Sequence, residues 1–275
     1  MVTWKHIKME VARELHRTVI KKFTKRQILT KGIDDLWAAD LLIMSAYSRQ
    51  NKGFKYILNV IDTFSKYLFL VPLKKKTGEE TAKAFESIIK KSKRKPKLLH
   101  VDCGKEFVNG TFTKMLKKYD IKMYHTFNEE KSSIAERVNR TVNQKLKFYF
   151  EVNNNHKWVQ LLPQILDEYN NKNVHRTIGL PPSKVTKKNE KEIFERMYPL
   201  NKFKLQHPFF KIGDRVRITR KKELFSNKYE RNWTTEIFLI DKIYYTNPIT
   251  YSVKDLDGEE ILGKFYKYEL QLTKF

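Results

Sequence analysis

Apolar positions recur at helical spacing near the start of the chain, where Val11, Leu15, Val19 and Ile20 line one face of a segment running to about Ile33. From Asp34 the pattern changes. "DLWAADLLIM" and "FKYILNVIDTFSKYLFLVPL" are dense in apolar, aromatic and β-branched residues, are separated by a turn at "SRQNKG", and predict adjacent strands. A bend near Ser65 and Lys66 divides the second run, making three strands in all. "TGEETAKAFESIIKK" then returns to helical spacing, with Thr77 as N-cap and Glu80 at the capping-box position. "KLLHVD" predicts a short buried strand, "NGTFTKMLKKYD" a short helix, "IKMYHTF" a strand, and "KSSIAERVNRTVNQKLKFYF" a long helix, with more helix in "HKWVQLLPQILDEYNNK". Strands first, then β-α-β alternation, then helices predict an α/β fold: a mixed sheet covered by helices.

After about residue 206 the runs shorten and alternate. "FKIGDRVRITR", "TEIFLIDKIYY", "TYSVKDLDGEEIL" and "FYKYELQL" predict some five short strands, with turns at Asn247-Pro248 and Asp257-Gly258, and so a small β-barrel. The expected division is a basic helical arm over 1–33, a core over 34–190, a linker over 191–206 and the barrel over 207–275. Trp233 and Tyr251 are expected inside that barrel.

Charge sharpens this picture. The 275 residues carry 56 Lys and Arg against 31 Asp and Glu, a net charge of +25, and such a field draws polyanions, nucleic acid foremost. Hydrophobic residues at 40% are enough to build real cores. One cysteine allows no internal disulfide and no multi-cysteine zinc site. No apolar run approaches a membrane span and "MVTWKHIKME" lacks the apolar centre of a signal peptide, so a soluble intracellular chain is expected.

That cysteine lies in "HVDCGKEF", beside two residues that compete with it for chemistry. In a strand, His100 and Asp102 point to one face while Val101 and Cys103 point to the other, so the thiol is turned from the histidine that would activate it. Asp102 ends a buried strand and precedes a glycine, the position where an α/β sheet presents functional side chains. On the long helix, Glu136, Arg140, Asn143 and Lys147 form one polar stripe opposite Ile134, Val138, Val142, Leu146 and Tyr149. A carboxylate leading amide and cationic groups suits a metal ion beside a phosphate backbone; a solvated helix face would carry the same stripe.

"LWAAD", "HVDCGKEF" and "SSIAERVNRT", in that order, resemble the catalytic core of retroviral-type integrases, and "YNNKNVHRTIGLPPSKV" resembles the segment that closes it. The likeness extends to the integrases of Maverick/Polinton transposons and virophages through "GIDDLWAADL", "NKGFKYILNVIDTFSKY", "NWTTEIFLIDKI" and "YSVKDLDGEEILGKFYKYEL". It implies a ribonuclease H-like fold with a five-stranded mixed sheet, and a C-terminal SH3-like barrel that binds DNA and helps assembly. It also implies that Asp40, Asp102 and Glu136 are the catalytic, metal-binding carboxylates. Two departures stand out: Ala38 replaces a polar residue, and Cys103 takes a place beside the second aspartate where a polar residue is frequent. Asp62, in "VIDTFSKY", is read as structural.

The resemblance implies a DNA integrase that uses two magnesium or manganese ions, trims the 3′ ends of a mobile element and joins them to target DNA. Its partners would be DNA and further copies of the chain, a dimer or tetramer, with no membrane and no small-molecule substrate. Its place would be the nucleus, or the virion and cytoplasm if virus-encoded. Lys105, Lys131, Arg137, Arg140, Asn143 and Lys147 are expected to contact DNA near the site, and Arg215, Arg217, Lys221 and Lys222 from the barrel. "KKSKRKPK" at 90–97 is a nuclear import signal, a DNA contact or a solvated loop. A domesticated, inactive DNA- or chromatin-binding protein and a nuclease for RNA in hybrids are the competing readings.

Overall fold

The computed structural model describes residues 4–20, 23, 29–125, 133–199, 207–220 and 230–275. They fall into two compact units, Leu29–Leu200 and Met1–Ile28 with Asn201–Phe275. In the larger unit a five-stranded sheet has the order β3-β2-β1-β4-β5, from β1 (Leu36–Ile43), β2 (Tyr56–Asp62), β3 (Leu68–Leu73), β4 (Leu98–Val101) and β5 (Lys122–His125). β1, β2 and β3 pair antiparallel, while β1, β4 and β5 pair parallel. The predicted bend at Ser65–Lys66 is the β2–β3 turn, where Lys66 takes a left-handed backbone with φ of 62°.

β1, β2 and β3 feed two cores, and β4 feeds one of them. Trp37, Ala39, Leu58, Val60, Leu99 and Val101 face α2 (Gly78–Ser92) and α3 (Gly110–Lys118). Ala38, Ile57, Ile61, Leu68 and Leu70 face α4 (Ser133–Asn153) and α5 (Trp158–Asp167), the latter running directly into a π-helical turn over Glu168–Lys172. Thr77 caps α2 as predicted, its side chain accepting from the Glu80 N–H. The Glu80 carboxylate turns outward instead, accepting from the Lys74 and Lys75 N–H groups at 2.6 and 2.9 Å. At the sheet edge, Pro72 withholds a donor that β3 can spare. Asn170 answers Leu68 of that strand with both ends of its amide at 2.9 Å, standing in for a neighbouring strand. The Tyr-Asn of the closing segment is thus part of the sheet's edge protection.

Asp62 is fully buried and structural, and its partner comes from the basic cluster at 90–97. The Arg94 guanidinium reaches Asp34 Oδ1 at 2.7 Å and Asp62 Oδ2 at 2.6 Å, beside the rings of Tyr67, Phe69 and Trp37. Burial opposes the Arg94 charge, but the two carboxylates outweigh it and push its pKa up. The reading of 90–97 as one import signal, DNA contact or solvated loop is therefore corrected at Arg94, whose charge is spent inside the fold.

The C-terminal strands form one all-antiparallel five-stranded sheet, ordered β10-β6-β7-β8-β9, from β6 (Arg215–Ile218), β7 (Phe238–Tyr244), β8 (Thr250–Lys254), β9 (Glu260–Tyr266) and β10 (Leu270–Leu272). Trp233 and Tyr251 are buried in this unit, and Gly258 turns the β8–β9 hairpin at φ of 96°. Two expected boundaries move. The N-terminal helix α1 (Trp4–His16) is no separate arm but packs in the same unit, where the Asn232 and Trp233 N–H groups donate to Leu15 O and the Trp233 indole to Arg17 O. The first half of the expected linker is helix α6 (Glu190–Met197) of the larger unit: Ile193 packs with Phe64, Ile178 and Val185, and Glu190 accepts from the Ile33 N–H at 2.7 Å.

Arg94→Met keeps the stem against the rings but strands two carboxylates, one of them fully buried, so urea unfolding should show a loss of about 3–5 kcal/mol. Arg94→Lys should recover only part of it, because an ammonium cannot fork between two acids.

Candidate active site on the α4 face of the larger sheet

Side-chain alternation decides which face carries the chemistry. Ala38 faces α4, so Asp40, two residues on, does too; Leu99 and Val101 face α2 and α3, so His100 and Asp102 are on the α4 side. Parallel pairing sets Ala38 opposite His100, and two residues beyond each stand Asp40, within β1, and Asp102, just past the end of β4. Asn109 holds the loop that follows Asp102. It caps α3 by accepting from the Phe112 N–H at 2.9 Å and donates to Lys105 and Glu106 carbonyls at 3.1 and 3.0 Å. Gly78 makes room for it, since a Cβ there would meet the Asn109 amide at 2.3 Å.

Helix α4 packs across this face through Ala135, Val138, Val142 and Leu146. It places Glu136 in its first turn, exposed, with Arg140 3.9 Å away. One turn on, Asn139 donates from Nδ2 to Asp40 Oδ2 at 2.7 Å, and its Oδ1 accepts from Asn59 of β2. Asp40 Oδ1 accepts from the Leu41 N–H at 2.8 Å, and Asp102 Oδ1 from the Gly104 N–H at 3.1 Å. Asp40 and Asp102 therefore share a face, and the helix bearing Glu136 is tied to the first of them. Among the described residues, no three Asp, Glu, His or Cys side chains stand close enough together to hold a metal ion. The donor chemistry nonetheless suits a hard cation, because all three are carboxylates. Asp102 and Glu136 are exposed, so each can change rotamer at small cost.

The cations divide in two. Lys105, Arg137, Arg140 and Lys147 are exposed and Asn143 is half-buried. Lys131, Lys221 and Lys222 lie outside the described residues. In the other unit Arg215 is exposed, but Arg217 is 3% exposed. Arg217 pairs with Glu14 at 3.2 Å and donates to the Thr234 and Thr235 carbonyls. The expectation that Arg217 contacts DNA is corrected: its charge is answered within the unit. Behind α4, burial holds His175 down at about 4, with Lys66 and Arg137 pushing the same way, so it is neutral near pH 7. Cys103 is exposed and unbonded. Among the described residues, no helix is long and apolar enough to cross a membrane.

Asn59 and Asn139 were missed by the sequence reading. Asn139 stands three residues after Glu136, on the same helical face. Asn59 is the one amide within "YILNVI", and that break in an apolar strand is its signal in the sequence.

Residues 31–128 match the family model for the integrase core domain. That segment is similar to integrase core domains. Relatives extend the likeness. A transposon-derived protein of Caenorhabditis elegans is 35% identical over 196 residues, covering 71% of this chain and 66% of that protein. The Pol polyprotein of radiation murine leukemia virus is 31% identical over 136 residues, covering 48% of this chain and 23% of the polyprotein. The chain thus spans less than two thirds of either relative. In fold it is similar to a chain of the simian T-cell lymphotropic virus intasome, solved by cryo-electron microscopy with PP2A regulatory subunit B56 gamma. The TM-score is 0.64 at 15% identity, covering 94% of this chain and 87% of that one. The mixed sheet with flanking helices matches the ribonuclease H-like architecture of such cores.

Two measurements check these assignments. The unfolded chain protonates His175 near its ordinary 6.5 and the folded protein only near 4. Stability contributed by this histidine is therefore whole above pH 6.5 and is lost as pH falls through that window. His175→Asn keeps an acceptor for the Thr177 N–H, and urea midpoints between pH 6.5 and 4 should fall less steeply for it than for wild type. Arg217→Ala should lower the unfolding temperature and leave the salt dependence of DNA binding unchanged, whereas Arg215→Ala should leave stability intact and make that dependence shallower.

Proposed function

We propose that this chain is a metal-dependent DNA integrase, a polynucleotidyl transferase that trims the 3′ ends of a mobile element and joins them to target DNA. The observation that carries this reading is the pair Asp40 and Asp102, each two residues beyond the Ala38–His100 pairing of adjacent parallel strands, with Asp40 bonded to the helix that bears Glu136. Those three carboxylates would hold two magnesium or manganese ions, which when bound supply charge neutralisation at the scissile phosphate and a more acidic attacking oxygen. Asn139 fixes the rotamer of Asp40 through its Oδ2. Lys105, Arg137, Arg140 and Lys147 neutralise backbone phosphates and Asn143 adds an amide, orienting the DNA end along α4. Water attacking the element end gives trimming, and the freed 3′ hydroxyl attacking target DNA gives joining. Neither step needs a covalent link to protein, so Cys103 is a neighbour of the chemistry.

The strand order of the second sheet supports reading it as an SH3-like DNA-binding and assembly module, with Arg215, Lys221 and Lys222 toward DNA. The quoted motifs support placing the chain nearest the Maverick/Polinton and virophage integrases. Joining two ends at once calls for a dimer or tetramer of this chain. The work would be done in the nucleus, reached through the virion and cytoplasm if virus-encoded.

A domesticated DNA- or chromatin-binding protein is the second reading. The observation favouring it is that the three carboxylates do not stand as one metal-holding group. A strand-transfer assay with the element's own termini in Mg²⁺ or Mn²⁺ separates the two. Glu136→Gln should lower joining at least about 100-fold, the loss of several kcal/mol of charge stabilisation, while DNA binding persists. Wild-type protein that binds these ends and never joins them would support the binding protein.

A further inference from the structure

Between Tyr56 and the terminal Asp62, β2 is apolar except at Asn59, and that residue occupies a particular place. It is 2% exposed, pairs directly across from Asp40, and shares the α4 face with Ile57 and Ile61. Its Nδ2 donates to Asn139 Oδ1, and Asn139 in turn donates to Asp40 Oδ2 at 2.7 Å. Its own Oδ1 is buried and has no hydrogen-bond partner among the described residues. A buried acceptor left unanswered costs stability, and an apolar residue of similar size would avoid that cost. Packing therefore gives no reason for an amide at this position.

Orientation gives one. The two ends of the Asn139 side chain differ in sign: the NH₂ attracts a carboxylate and the carbonyl repels it. A donor fixed at the carbonyl end selects the flip in which the NH₂ faces Asp40. We propose that Asn59 is a positioning residue, which locks the Asn139 amide and through it holds Asp40 in the rotamer that binds a divalent cation. This rests on the proposed function, in that Asp40 is taken as a metal ligand. It adds an outer-shell residue from the neighbouring strand, of the kind that orients ligands in metal sites.

Valine and threonine have nearly the same shape, and both suit a strand, but only threonine can donate to Asn139 Oδ1. The full chain is compared as wild type, Asn59→Val and Asn59→Thr. Three quantities are read: the unfolding temperature, Mn²⁺ binding by calorimetry without DNA, and DNA joining. Asn59→Val should melt at or above the wild-type temperature and bind Mn²⁺ about 10-fold or more weakly. It should join DNA more slowly at unchanged DNA affinity, and Asn59→Thr should lie close to wild type throughout. Equal Mn²⁺ binding in wild type and Asn59→Val overturns the assignment, as does an equal loss in Val and Thr, which would indicate packing alone. If Asn59→Val does not fold, Asn59→Ala, which fits without crowding, is read by the same criteria. Wild type that neither binds Mn²⁺ nor joins DNA overturns the metal reading of the site and this inference with it. An active wild type with an unaffected Asn59→Val removes only the lock.

Discussion

The ion-pair clasp of Arg94 with Asp34 and Asp62 is the constraint on which the site depends. It gathers the entry to β1, the exit from β2 and the connection from α2 into β4 at one point. Parallel strands such as β1 and β4 have no hairpin to set their register, so it must be set by what ties their ends. Beside the clasp, the Lys97 N–H donates to Asp34 O and the Leu98 N–H to Asp35 O. From that tie the two strands run in step as far as Ala38 and His100, and Asp40 and Asp102 each follow two residues on. A slip of one residue would turn one of them to the α2 face. Removing a partner of a buried charge costs far more than the pair adds, which makes such a clasp better at specifying an arrangement than at stabilising it.

At the other end of β1 a second polar group interrupts an otherwise apolar layer. Between sheet and α4, nearly every contact is aliphatic or aromatic, except where Asn59, Asn139 and Asp40 meet. Amides bonded in series there fix a helix to a strand in direction as well as distance, which apolar packing alone does not. The contact that seats α4 on the sheet lies one turn from Glu136 and ties the helix that bears it to Asp40. Packing and chemistry are coupled at this one place in the larger unit.

The basic character of the chain likewise divides by structure. Arg94 and Arg217 are turned inward, each answered by carboxylates, and Arg217 also by backbone carbonyls. The cations along α4 and at Lys105 are exposed and give the site its positive surroundings. Net charge drew attention to polyanions but could not say which cations face them, because Arg215 and Arg217 stand two apart on one face of a short strand and only Glu14, Thr234 and Thr235, packed on Arg217, tell them apart.

Strand and helix periods, the Thr77 cap, the turns at Ser65–Lys66 and Asp257-Gly258, and the shared face of His100 and Asp102 were all legible in the chain. Each is a local signal, encoded within a few residues by sterics and periodicity. The resemblance singled out three carboxylates, and the fold sets Asp40 and Asp102 on neighbouring strands, with Glu136 on the helix whose Asn139 bonds Asp40. Partners far apart were not. Arg94 and Asp62 lie 32 positions apart, Asn139 and Asp40 lie 99 apart, and Arg217 and Glu14 lie 203 apart. No local rule selects one acid for one base, or aims one amide at one carboxylate, across such spans. Those choices follow from which surfaces the fold buries together, since only after burial does an unpaired charge or amide become costly enough to fix its partner.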